Sequence, residues 1–151
     1  MPAIGTKAPS FTGVDKDGKK VKLSDFKDRK LALYFYPKDD TSGCTKQACN
    51  LRDNYAGLKE AGISIVGVSK DSMASHVKFA DKYDLPFPLI ADEDLSIHHL
   101  YGTYGEKNMY GRKSMGVKRT TFLINEMGLI LDIIKRPKTG DHTAEILRRF
   151  D

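Results

Sequence analysis

Residues 31–68, LALYFYPKDDTSGCTKQACNLRDNYAGLKEAGISIVGV, read as strand, loop, helix and strand. The apolar run Leu31–Tyr36 suits a buried strand, and Pro37, which has no amide hydrogen, ends it. The segment KDDTSG follows as a loop. A helix is expected from Cys44 to Ala61 with Gly62 as its stop, and Ile63–Val68 is a second buried strand. A right-handed crossover makes the two strands parallel neighbours in one sheet.

On the N-terminal side, Ser10–Val14 and Lys20–Leu23 read as short extended pieces about a turn at Asp15–Gly18. On the C-terminal side, Asp71 or Ser72 caps a helix running to Tyr83. A short strand at Leu89–Ala91 and a short helix at Leu95–Tyr101 follow, and the glycine-rich, basic stretch Gly102–Gly116 is expected to be a solvated loop. Val117–Ile124 and Leu129–Ile134 flank Asn125–Gly128 as an antiparallel hairpin, and a helix over Asp141–Phe150 closes the chain. The expected fold class is α/β, a central mixed β-sheet flanked by helices on both faces in the order of a thioredoxin-like fold. No repeat or linker divides the 151 residues, so one domain over 1–151 is expected.

At 40% hydrophobic and 30% charged residues the composition is that of an ordinary globular protein. No apolar run approaches the roughly 20 residues of a membrane-spanning helix. The N-terminus MPAIGTKAPSF carries no charged-then-apolar signal, so a reducing cytoplasm is the expected compartment. The net charge of +5 raises nucleic acid as a partner, but Lys and Arg alternate with Asp and Glu and form no basic block. A solvated basic surface, with neither nucleic acid nor membrane as partner, is the reading this pattern favours.

The only cysteines, Cys44 and Cys49, are too few for a disulfide framework or a four-ligand zinc site. At about 100° per residue, Ala48, Leu51, Tyr55 and Leu58 fall on one helical stripe with Cys44 at its N-terminal end. There the free amides and the positive end of the helix dipole favour a thiolate, the nucleophilic form of cysteine. Cys49 lies roughly 140° away, off the stripe. Five residues of intact helix hold the two Cα atoms roughly 8–9 Å apart, beyond the about 4.4–6.8 Å that a disulfide allows. The two can therefore join only if the first helical turns unwind.

Pro37-Lys38-Asp39-Asp40-Thr41-Ser42-Gly43-Cys44 places Pro, Thr and Cys at the spacing of the peroxiredoxin active-site signature, which it resembles. Its surroundings, YFYPKDDTSGCTKQACNLRDNY, are most similar to the bacterioferritin comigratory protein or peroxiredoxin Q subfamily. The resemblance runs from Gly5-Thr6-Lys7-Ala8-Pro9 to the hairpin. It implies that Cys44 is peroxidatic, that Cys49 resolves the oxidised thiol, and that Thr41, Pro37 and Arg119 (of Gly116–Phe122) complete the site. Cys44 would attack a hydroperoxide while Arg119 steadies thiolate and peroxide from a planar fork. The hydroxyl of Thr41 would accept from the peroxide, amides near Gly43 and Cys44 would donate to it, and Pro37 would shield the thiolate. Cys44 sulfenic acid would then condense with Cys49, and thioredoxin or a similar dithiol would reduce the bridge. The resemblance implies no cofactor and no metal, and a monomer. Ser42 stands where the subfamily often has Pro, and Gln47 where Glu is frequent.

The nearest rival is a thioredoxin-like disulfide oxidoreductase, which would share the fold. That class separates its cysteines by two residues, whereas four intervene here, and Arg119-Thr120-Thr121 stands where thioredoxins resemble one another in having proline. A metal-binding reading founders on His98 and His99, which point about 100° apart on a helix. In Tyr104–Ser114, Lys107, Arg112 and Lys113 alternate with Tyr104, Met109 and Tyr110, a composition that would also suit a docking rim.

Overall fold

A computed structural model describes residues 1–150, without the side chain of Met109. In chain order the elements are β1 (Thr12–Val14), β2 (Lys20–Lys22), a 3₁₀ turn (Leu23–Phe26), β3 (Lys30–Phe35), α1 (Ser42–Asp53) and α2 (Tyr55–Glu60). They continue with β4 (Ile63–Ser69), α3 (Met73–Tyr83), β5 (Leu89–Ala91), α4 (Ser96–Tyr101), β6 (Tyr104–Met109) and β7 (Arg112–Val117). The last are β8 (Thr120–Ile124), β9 (Ile130–Ile134) and α5 (His142–Phe150).

The central sheet has the order β5-β4-β3-β8-β9. β3 runs parallel to β4 and β4 to β5, while β8 is antiparallel to β3 and to β9. Both faces are covered, which explains why β3 reads as an unbroken apolar run. Alternate residues enter separate cores. Ala32, Tyr34 and Tyr36 meet Cys44, Ala48 and Leu51 of α1, Phe79 of α3 and Ile146 of α5. Leu31, Leu33 and Phe35 meet Phe11, Val21 and the α4 residues Ile97 and Tyr101. The mixed sheet with helices on both faces is therefore as expected.

Three sequence expectations are corrected. The helix expected over Cys44–Ala61 is two, because the Asn54 side-chain amide donates to the Asn50 carbonyl at 2.8 Å and competes with the helical backbone. The stretch Gly102–Gly116 is mostly a separate two-stranded ribbon, β6–β7, turning at Tyr110 and Gly111, which both have positive φ. Val117, assigned to the β8 strand, ends β7 instead, and the chain turns through Lys118 and Arg119 before Thr120. No helix among the described residues is long and apolar enough to cross a membrane.

Candidate active site

β3 delivers the chain to Pro37 at the carboxyl end of the sheet, and the loop to Thr41 turns it into α1. That loop is held from below. Asp39 accepts from Tyr36 Oη at 2.6 Å, from Ser75 Oγ at 2.7 Å and from His76 Nδ1 at 2.7 Å. Its own amide donates to Asp71 at 2.9 Å, and Asp71 also accepts from Ser69 Oγ. Asp40, in the left-handed region, accepts from Lys82 and from Tyr83 Oη, each at 2.8 Å. These two bonds pull its carboxyl below the usual range, Lys82 contributing most. Two successive carboxylates thus tie the loop to α3.

Thr41 is the residue before α1, yet its side chain caps nothing; its hydroxyl donates to the Lys38 carbonyl at 2.9 Å. That hydroxyl keeps its lone pairs free to accept. The first helical bond runs from Thr45 N to Thr41 O at 2.8 Å. The amides of Gly43 and Cys44 precede it and find no acceptor within the helix. Cys44 is 1% exposed, the third residue of α1, at the top of the core stripe.

Arg119 reaches Cys44 from the turn before β8. Its Nη2 donates to Cys44 Sγ at 3.2 Å, and its Nη1 donates to Gln47 Oε1 at 2.7 Å. Gly43 makes room for this fork, since a Cβ there would sit 3.1 Å from Arg119 Nη2. Pro37 lines a cleft of about 320 Å³ with Lys38, Lys70, Lys107, Met115 and Val117, so the β6–β7 ribbon forms part of the rim. Cys49 is half-buried on the other flank of α1, and both thiols are free.

The residues singled out from the sequence are therefore not all in one contact group. Cys44 and Arg119 touch, Thr41 directly precedes α1, Pro37 lines the neighbouring cleft, and Cys49 shares only the helix. Four contributors were given no role from the sequence, Gln47 among them although its departure from Glu is visible there. Gln47 carries Arg119; Asp39 and His76 hold the loop. His142 is the fourth: its Nε2 lies 2.8 Å from Thr121 Oγ1 and its Nδ1 3.1 Å from Glu145. Burial lowers the His142 pKa; Glu145 opposes that and the Arg119 charge adds to it. Only the departure at Gln47 left a trace in the sequence, because the other contacts join segments far apart in the chain.

Residues 4–133 match the AhpC/TSA family. The chain is 46% identical to a putative peroxiredoxin Bcp of Coxiella burnetii, covering 97% of each protein. It is 41% identical to peroxiredoxin Bcp of Bacillus subtilis, over 96% of this chain and 92% of that one. Among solved structures it is similar to the bacterioferritin comigratory protein of Xanthomonas campestris, studied for its alkyl peroxide reduction activity. That match has a TM-score of 0.86 and 31% identity, over 93% of this chain and 90% of the other.

Proposed function

The chain belongs to the AhpC/TSA family and is a peroxiredoxin, a thiol-dependent peroxidase, and on that footing we propose that Cys44 is the thiol that attacks the peroxide and Cys49 the one that resolves it. The observation that carries this reading is the 3.2 Å contact from Arg119 Nη2 to a buried Cys44 Sγ in the first turn of α1. A guanidinium at that distance supports the thiolate and offers its fork to the oxygen on which negative charge gathers. The accepting hydroxyl of Thr41 and the amides of Gly43 and Cys44 orient the hydroperoxide, and Pro37 walls the approach.

In the first step Cys44 sulfur takes one peroxide oxygen, the O–O bond breaks, and an alcohol or water departs. In the second, Cys49 displaces that oxygen as water and a Cys44–Cys49 bridge forms. Both cysteines lie on α1, so the second step requires the helix to open. A thioredoxin-type dithiol recycles the bridge. Organic as well as hydrogen peroxide is accepted, a reading supported by the alkyl peroxide activity of the Xanthomonas relative. The chain is read as a single-domain monomer in a reducing cytoplasm; a bridge between two thiols of one helix needs no second subunit.

The test is to reduce the protein, add one equivalent of hydrogen peroxide and take intact and peptide masses without reductant, beside Cys44→Ser and Cys49→Ser. The expected result is a Cys44–Cys49 bridge absent from both variants, with sulfenic acid trapped at Cys44 in Cys49→Ser. Sulfenic acid with no bridge in the unmodified protein would move resolution to an external thiol. An unreacted Cys44 would end the assignment.

A further inference from the structure

Among the described residues three buried side-chain polar atoms lack a hydrogen-bond partner: Gln47 Nε2, Tyr34 Oη and His98 Nε2. His98 packs against Phe35 in the core on the far side of the sheet. The other two belong to the surroundings of Cys44. Unpaired donors cost folding free energy, so one in the core cluster that holds Cys44 and one on the side chain that shares its arginine call for an explanation.

Gln47 follows Cys44 by three residues, on the same side of α1, and is fully buried. Arginine can only donate, so the amide oxygen must face Arg119 Nη1 and the NH₂ group is the free end. One guanidinium thus bridges the two side chains, with Nη2 on Cys44 Sγ and Nη1 on Gln47. Tyr34 approaches from β3, in the core cluster that holds Cys44 and Ala48, its ring stacked on Tyr36 at 5.3 Å. Burial keeps its hydroxyl protonated. Both groups are donors in want of an acceptor, and thiol sulfur is a weak one.

We propose that Gln47 Nε2 and Tyr34 Oη are donors reserved for the oxygen that oxidation places on Cys44. This rests on the reading of Cys44 as the attacking thiol. The thiolate forms an S–O bond as the O–O bond breaks; sulfur loses two electrons, and the leaving alkoxide takes the peroxide proton. A sulfenate and an alcohol result. The sulfenate oxygen is a strong acceptor and satisfies both donors, which holds α1 in its folded form. Resolution then breaks those bonds as α1 opens: the sulfenate takes a proton from solvent, the Cys49 thiol forms the S–S bond, and the sulfenic oxygen leaves as water with the thiol's proton. The pair therefore lengthens the life of the sulfenate in the folded site, where a second hydroperoxide converts it to sulfinate. Glutamate at position 47 could accept from Arg119 equally well but would donate nothing.

The test begins from Cys49→Ser, in which the sulfenate persists, alone and combined with Tyr34→Phe or Gln47→Glu. Melting temperatures are taken before and after one equivalent of hydrogen peroxide. Oxidation is expected to raise Tm by about 2–4 °C per satisfied donor in the parent, and to lose that share in each variant. Reduced Tyr34→Phe should melt no lower than reduced parent, because its hydroxyl has no partner there to lose. With Cys49 restored, bridge formation after a single turnover should accelerate about fivefold in either variant, the worth of one hydrogen bond. An equal oxidation shift in parent and variants would overturn the proposal. So would a Tyr34→Phe that loses as much stability reduced as oxidised, since that is a packing effect. If no sulfenic acid forms at Cys44 in the parent, the assignment of the attacking thiol fails first. Tyr34→Phe keeps the test decisive should Gln47→Glu fail to fold.

Discussion

His76 Nδ1 lies 2.7 Å from Asp39 Oδ2 while its Nε2 lies 3.0 Å from the Ile90 carbonyl, so both ring nitrogens face acceptors. Only the imidazolium can donate to both. Burial opposes that charge, but the Asp39 carboxylate and the Ile90 carbonyl outweigh it and raise the pKa above the ordinary histidine value. The loop leading to Cys44 is therefore held by a buried ion pair.

A pH dependence follows from this pair. The folded pKa lies above the unfolded one, so the stabilisation is complete below about 6.5 and is lost as pH rises through the folded value. Urea unfolding of the reduced protein from pH 6 upward should show this loss. In His76→Phe this falling component should disappear, with about 3 kcal/mol lower stability at pH 6 from an Asp39 carboxylate that has lost its countercharge. An unchanged slope would place the titration elsewhere.

His142 has the opposite sign. It is neutral, accepting from Thr121 and donating to Glu145, with its pKa lowered chiefly by burial. Stability from this site is complete above about 6.5 and declines as pH falls, because the unfolded chain binds the proton first. Replacing His142 with Gln should flatten the decline between pH 7 and 5 in the same unfolding measurement. A decline as steep as the parent's would refute the assignment.

Gly43→Ala separates stability from chemistry. Alanine favours the helix by up to about 1 kcal/mol, so Tm should hold or rise. The new Cβ would press on Arg119 Nη2 from 3.1 Å and shift the fork from Cys44. Stopped-flow oxidation of Cys44 should slow about tenfold, or about 1.4 kcal/mol in the barrier. Oxidation at the parent rate would mean that the fork tolerates the displacement.

Arg119→Lys retains the charge but not the fork that serves Cys44 and Gln47 together. The second-order rate of Cys44 oxidation should fall about 10²-fold, comparable to losing one donor to a developing oxyanion. A loss under about threefold would show that charge alone suffices.

Much of this fold was legible because its signals are local. The unbroken run at β3, the stop at Pro37 and the cap at Ser72, whose Oγ accepts from Ser75 N at 3.1 Å, all lie within a few residues of what they control. The β6–β7 ribbon was not legible. The sequences YGEKNM and RKSMGV carry no alternating apolar pattern, and β7 is exposed over Arg112–Met115, so the strands are defined by pairing with each other. Nor was the break in the long helix, since Asn54 ends it through a side-chain bond that helical periodicity does not register.

By itself the sequence determined that Cys44 lies in the first turn of a helix that follows a buried strand, and that Cys49 follows on the same helix. Periodicity and spacing are properties of neighbouring residues and need no knowledge of the rest of the chain. Family resemblance named Arg119 for the site, but tertiary structure alone decided the contacts the sulfur makes. Arg119 is 75 residues from Cys44 and meets it because β8 pairs antiparallel with β3, which brings the turn before β8 over the start of α1. The same closure leaves Gln47 and Tyr34 with unused donors and gives His76 and His142 opposite charge states. Burial and partner choice are settled only when distant segments pack, and no local pattern encodes them.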